Sequence, residues 1–169
     1  MQAPCYSWIH ACLVATRPTV GDLMSLCEDN FRLLTRLFPD LHQARGCYDS
    51  QFDAGLRLHL QVLEQAPYTT TIRFTYFFDD FVDATPGQPE PDARLRVYHD
   101  ARQVEVLDLR QTALPLYGGY QSPALRAKWK ANLFLSKWLS YCLSEGHRFR
   151  SSAVLDSDEG SDELPSTCL

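Results

Sequence analysis

The stretch Gly55-Leu-Arg-Leu-His-Leu-Gln-Val-Leu-Glu64 constrains the fold more than any other, because its side chains change character at every residue. Leu56, Leu58, Leu60 and Val62 fall on one side of an extended chain and Arg57, His59 and Gln61 on the other, the period of a strand with one buried face. Gln65-Ala-Pro-Tyr68 turns the chain, and Thr69 to Phe78 follows as a run of β-branched and aromatic residues. Ile72, Phe74, Tyr76 and Phe78 face one way in it, and Thr71, Arg73, Thr75 and Phe77 the other. An isolated hairpin is marginal in water, so these strands demand further strands and something apolar laid over the leucine row.

Arg94-Leu-Arg-Val-Tyr-His-Asp-Ala-Arg-Gln-Val-Glu-Val-Leu-Asp-Leu109 supplies a second hairpin, with Leu95 and Val97 inward and its turn near Asp100-Ala101-Arg102. Val104 and Val106 share one parity and Leu107 and Leu109 take the other, which predicts a bulge or strand end close to Leu107. A shorter strand is expected from Cys47 to Phe52.

Two helices provide the cover. Between Asp22 and Phe38 the apolar residues Met24, Cys27, Phe31, Leu34 and Phe38 recur at three- and four-residue steps, with Thr19 or Asp22 as cap, Pro39 as stop and Glu28 with Arg32 as an i,i+4 pair. The second helix is expected to start at Ser122 with Pro123 in its first turn and to stop at Gly146. Trp129, Leu133, Phe134, Leu135, Trp138, Leu139, Cys142 and Leu143 form its stripe, directed at the sheet. The fold class that results is α+β: an antiparallel sheet of four or five strands in two hairpins, with an N-terminal and a C-terminal helix packed on one face.

A chain of 169 residues, 45% of them hydrophobic, suits one domain with tails to spare. Residues 1–18 carry no periodicity and read as a flexible arm, 19–149 as the single domain, and 150–169 as a disordered tail whose Asp156-Ser-Asp-Glu-Gly-Ser-Asp-Glu163 is acidic and of low complexity. Asp79 to Asp92 reads as a mobile acidic loop between the hairpins. Acids outnumber bases by 21 to 16, which argues against a general nucleic-acid binder while leaving room for a local basic patch. No run is long and apolar enough to span a bilayer. Six cysteines without a C-x-x-C pair, and no basic residue ahead of the apolar stretch at Trp8, point to reduced thiols in the cytoplasm; neither a metal site nor a cofactor is expected.

Chemistry has few footholds. Gly118-Gly119, flanked by Tyr117 and Tyr120, lacks phosphate-loop spacing and reads as a turn. The polar row of the second hairpin, Arg94, Arg96, Tyr98 and Asp100, reads as a solvated face with a cross-strand pair from Arg96 to Glu105 or a neighbour. Its functional alternative is a polar floor. Lys128 and Asn132 share a helix face, so Arg96, Tyr98, Asp100, Lys128 and Asn132 become a candidate ligand site if that helix edge lies over the row, and a carboxylate or phosphate would be its guest. Asn132 alone could instead bond to sheet backbone.

Leu26-Cys-Glu-x-Asn30-Phe31 with Leu34, Leu37 and Pro39, then Tyr68-Thr-Thr, Leu95-x-Val-Tyr-His-Asp100, and Lys128-x-x-x-Asn132-x-Phe-Leu-x-x-Trp138-Leu-x-x-Cys142-Leu resemble the YqiB-like family of small bacterial proteins, a domain of unknown function. The resemblance covers roughly Arg17 to His147 and implies a cytosolic bacterial protein without transferring any catalytic residue. Two functions are compatible with the residues. One is a non-catalytic binding or adaptor module for a protein or a small anionic ligand; the other is a small enzyme using Arg96, Tyr98, His99 and Asp100 for acid–base work. The first is favoured, since no nucleophile–base pairing or metal set accompanies the second.

Overall fold

A computed structural model describes residues 18–51, 56–78, 90–111 and 125–150. Helix α1 spans Val20–Leu37, strands β1 to β5 span Cys47–Gln51, Leu56–Gln65, Thr69–Phe78, Asp92–Tyr98 and Gln103–Arg110, and helix α2 spans Leu125–Ser144. The strands form one antiparallel meander in chain order, β1-β2-β3-β4-β5. The arm and the acidic tail lie almost wholly outside the described residues, as do Gly118-Gly119, the loop body 79–89 and the expected α2 cap at Ser122 and Pro123.

Local chemistry sets the ends of the elements. Thr19 Oγ1 accepts from the Asp22 N–H while the Asp22 carboxylate accepts from the Thr19 N–H at 2.8 Å, so the first turn of α1 is closed from both sides. The Asp22 carboxyl is held below its usual range by these Thr19 bonds. Arg32 pairs with Asp29 rather than Glu28, a three-residue step in place of the expected four. Gly146, at φ 86°, provides the left-handed residue that ends α2. Arg102, at φ 55°, does the same in the β4–β5 turn.

The register confirms the bulge expected near Leu107: Arg94 pairs with Asp108 and Leu95 with Val106, which leaves Leu107 as the extra residue. A second irregularity lies in β2, where Val62 pairs with Ile72 and Glu64 with Thr71; the extra residue, Leu63, is exposed.

Both helices cover the same side of the sheet. Leu58, Leu60, Ile72, Phe74, Leu95, Val97 and Val104 present that inner face and are fully buried. Trp138 stacks on Phe74 with ring centroids 4.6 Å apart and on Tyr76 at 6.0 Å, and Phe134 leans on Trp138 from the side. Trp129 does not join them. It packs with Leu26, Leu133 and Leu23 in a separate helix–helix cluster, because a stripe this broad wraps past the sheet to the neighbouring helix. After α2 the chain turns under β1. Phe149 is 2% exposed against Phe38 and Phe74, and its N–H donates to the Leu37 carbonyl at the end of α1.

Candidate functional site

Strand alternation sorts the candidate residues between the two sides of the sheet. Leu95 and Val97 point inward, so Arg94, Arg96 and Tyr98 belong to the outer face, away from the helices. In register, Arg96 lies opposite Glu105 and Arg94 lies between Arg73 and Asp108. The expected Arg96–Glu105 pair does not form, because the Glu105 carboxylate is already engaged. Oε1 accepts from Lys128 Nζ at 2.7 Å and Oε2 from Tyr98 Oη at 3.2 Å. Lys128 thus reaches round the β5 edge to the outer face, where its ammonium meets Glu105, the residue opposite Arg96.

Asp92 is similarly committed. Arg73 grips it with Nε at 2.9 Å and Nη2 at 2.8 Å, and the Thr75 hydroxyl donates to it at 2.8 Å. Burial pushes the Asp92 carboxyl up, but the bonds from Arg73 and Thr75 outweigh it and leave the group below its ordinary value. A carboxylate with a depressed folded pKa contributes stability that is complete above the unfolded value and lost as pH falls through the folded one. Acid unfolding should therefore steepen below about pH 4, and Asp92→Asn should flatten that limb in a pH series of denaturation midpoints; an unchanged limb would show that the Arg73 grip adds nothing. Arg94 is exposed and Arg96 half-buried, and neither has an ion-pair partner among the described residues; Asp108, opposite Arg94, accepts instead from the Leu109 N–H at 3.0 Å.

Asn132 and Asp100 stand apart from this group. Asn132 is fully buried: its Oδ1 accepts from the Val106 N–H at 3.3 Å, its Nδ2 donates to the Lys128 carbonyl, and its own carbonyl accepts from Asn30 Nδ2 at 3.1 Å. It occupies the free edge of β5, a protective position at a sheet border. Asp100 is exposed in the turn and accepts from the Ala101 N–H at 2.8 Å. The structure brings together Tyr98 and Lys128 beside Arg96, and places Asn132 and Asp100 elsewhere.

His99 follows Leu95 and Val97 in parity and lies on the inner side, so the set Arg96, Tyr98, His99 and Asp100 is divided between two faces and a turn. His99 Nε2 meets the Thr70 hydroxyl at 2.7 Å, and its ring stands edge-on to His42 with centroids 6.5 Å apart. Between them opens a groove of about 350 Å³, with Phe31, Leu41, Pro67 and Val97 among its walls. His42, Gln65 and Thr70 come from three separate segments, so no local pattern in the sequence marks them. The parity of His99 was the one legible signal.

Buried thiols are inert here. Burial pushes Cys27 up to about 11 and Cys142 up to about 12, the latter giving its proton to the Tyr76 hydroxyl. Ser50 Oγ and His147 Nδ1 are 3.1 Å apart but both buried, and the Arg148 N–H also donates to Ser50. They fasten the chain after α2 to β1. Among the described residues no three His, Cys, Asp or Glu gather to hold a metal, and no helix is long and apolar enough to cross a membrane.

The geometry thus defines a class: an α+β domain in which a five-stranded meander carries two helices on one face and an arginine row on the other. The sequence pattern of a family described as protein of unknown function (DUF1249) matches residues 33–148, and the chain belongs to that family. It is 31% identical over 134 residues to the uncharacterized protein YqiB of Escherichia coli strain K12, covering 76% of this chain and 91% of the relative. The YqiB proteins of E. coli O6:H1 and O157:H7 match to the same extent. No solved structure matches.

Proposed function

We propose that this protein is a non-catalytic binding module whose outer sheet face takes an acidic segment of a partner protein. The observation that carries the reading is the state of Arg94 and Arg96: two guanidinium groups on one face of β4 without an ion pair among the described residues, Asp92 and Glu105 being bonded to other cations and Asp108, opposite Arg94, accepting from the Leu109 N–H. Residues two apart on a strand are spaced by roughly 6.5–7 Å, the spacing at which an extended peptide presents its own alternate side chains. A segment with acidic residues at i and i+2 could give each arginine a charge-assisted carboxylate contact. Tyr98 and Lys128 border the same place. The enzymatic alternative, with Arg96, Tyr98, His99 and Asp100 as acid–base groups, draws no support from their division between faces. The free thiols Cys27, Cys47 and Cys142 fit a reducing compartment such as the cytoplasm.

The test is calorimetric titration of the full chain with a peptide of about ten residues carrying glutamate at alternate positions, with sodium phosphate and citrate as small-anion comparators. Arg94→Glu/Arg96→Glu should weaken peptide binding by about tenfold or more, and salt should weaken it in the unsubstituted protein. A peptide that fails to bind, or that binds the double variant equally, overturns the reading. Binding of citrate or phosphate at equal strength would make the partner a small anion rather than a protein segment.

A further inference from the structure

We infer that the groove between His42 and His99 is a second binding site, one that takes a small ring compound offering an N–H donor. The chemistry follows from a chain of hydrogen bonds in which each proton can be placed. Gln65 Nε2 donates to the His42 carbonyl at 2.9 Å, and since a carbonyl can only accept, the orientation of the Gln65 amide is fixed. Its Oε1 therefore faces the Thr70 hydroxyl at 3.0 Å and takes the single Thr70 proton. Thr70 Oγ1 has nothing left to give to His99 and must accept, which puts the imidazole proton on Nε2. Nδ1 is then a bare lone pair, and no protein group bonds to it among the described residues.

His99 lines the groove, and its Nδ1 is taken as the acceptor offered there; the remaining walls select the guest. Burial, reinforced by His42, lowers the His99 pKa, which favours the neutral ring that carries the acceptor. Phe31, Leu41, Pro67 and Val97 ask for an apolar body, and about 350 Å³ accommodates one or two fused rings. Thr35 and Pro39 bring in the C-terminal end of α1, whose dipole repels anions. The guest is thus the opposite of the one proposed for the outer face. It is a neutral heteroaromatic with an N–H, and the two sites lie on different sides of the sheet.

Indole and 1-methylindole distinguish this site, because they share a shape and differ in the donor. Followed by amide shifts in the full chain, indole should perturb Val97, Leu41 and Thr35 and should bind about fivefold more tightly than 1-methylindole. His99→Phe keeps a ring and removes the acceptor, so the preference should vanish in that variant. Long-range proton–nitrogen spectra should show His99 protonated on Nε2 at pH 7.5, with Thr70→Val releasing it to a mixture of tautomers. Equal binding of the two compounds, shifts outside the groove, or an Nδ1–H tautomer would overturn the inference. Arg94→Glu/Arg96→Glu should leave the indole preference unchanged, so failure of the outer-face reading and failure of this one are separable.

Discussion

Trp138→Ala is expected to lower the unfolding free energy by about 3–5 kcal/mol, the range for removing a large aromatic side chain from a packed core. Trp138 is 6% exposed and stacks on Phe74 and Tyr76 of the central strand, with Phe134 against its flank. Deleting it opens a void where α2 meets the sheet, and β3, hydrogen-bonded on both edges, cannot move in to close it. Urea denaturation would show the loss as a lower midpoint with an unaltered slope. Trp138→Phe, which keeps a ring in the gap, should recover much of it. A midpoint that hardly moves in the alanine variant would mean that α2 does not rest on β3.

Phe149→Ala should cost about as much, about 3–5 kcal/mol, although the residue lies beyond the last helix. Its side chain closes the end of the core between Phe38 and Phe74, and its N–H satisfies the Leu37 carbonyl left open where α1 ends. His147, hydrogen-bonded to Ser50, holds the approach. One residue further, Arg150→Ala at an exposed position should change stability by no more than about 0.5 kcal/mol. Equal midpoints for the two variants would show that the segment after α2 is not part of the core.

Legibility in the sequence followed the range of the interactions. The two central strands and the bulge at Leu107 were legible because strand parity is a local property: Leu58, Leu60, Ile72 and Phe74 declare their face without knowledge of any partner. The cap at Thr19 was legible for the same reason. Trp129 was assigned to the sheet and belongs with Leu26, because the two sides of a wide helical stripe look alike until the neighbouring helix is placed. Cross-strand register points Arg96 to Glu105 or a neighbour, yet a lysine from α2 takes Glu105, and no local pattern measures how far Lys128 can reach. Asn132 was grouped with that lysine by helical spacing. Of its two readings the bond to sheet backbone holds, its amide accepting from the Val106 N–H at the edge of β5. The groove was least legible of all, since His42, Gln65, Thr70 and His99 meet through the packing of four segments.

The inner face of this sheet holds the core, and the outer face carries the arginine row on which the proposed function rests. Titrating the nitrogen-15-labelled full chain with the alternating-glutamate peptide and following each amide tests it most directly. Salt-sensitive shifts are expected at Arg94, Arg96, Tyr98 and Glu105, with His99 and Leu41 unmoved. Shifts confined to the groove, or an unperturbed spectrum at saturating peptide, would contradict it.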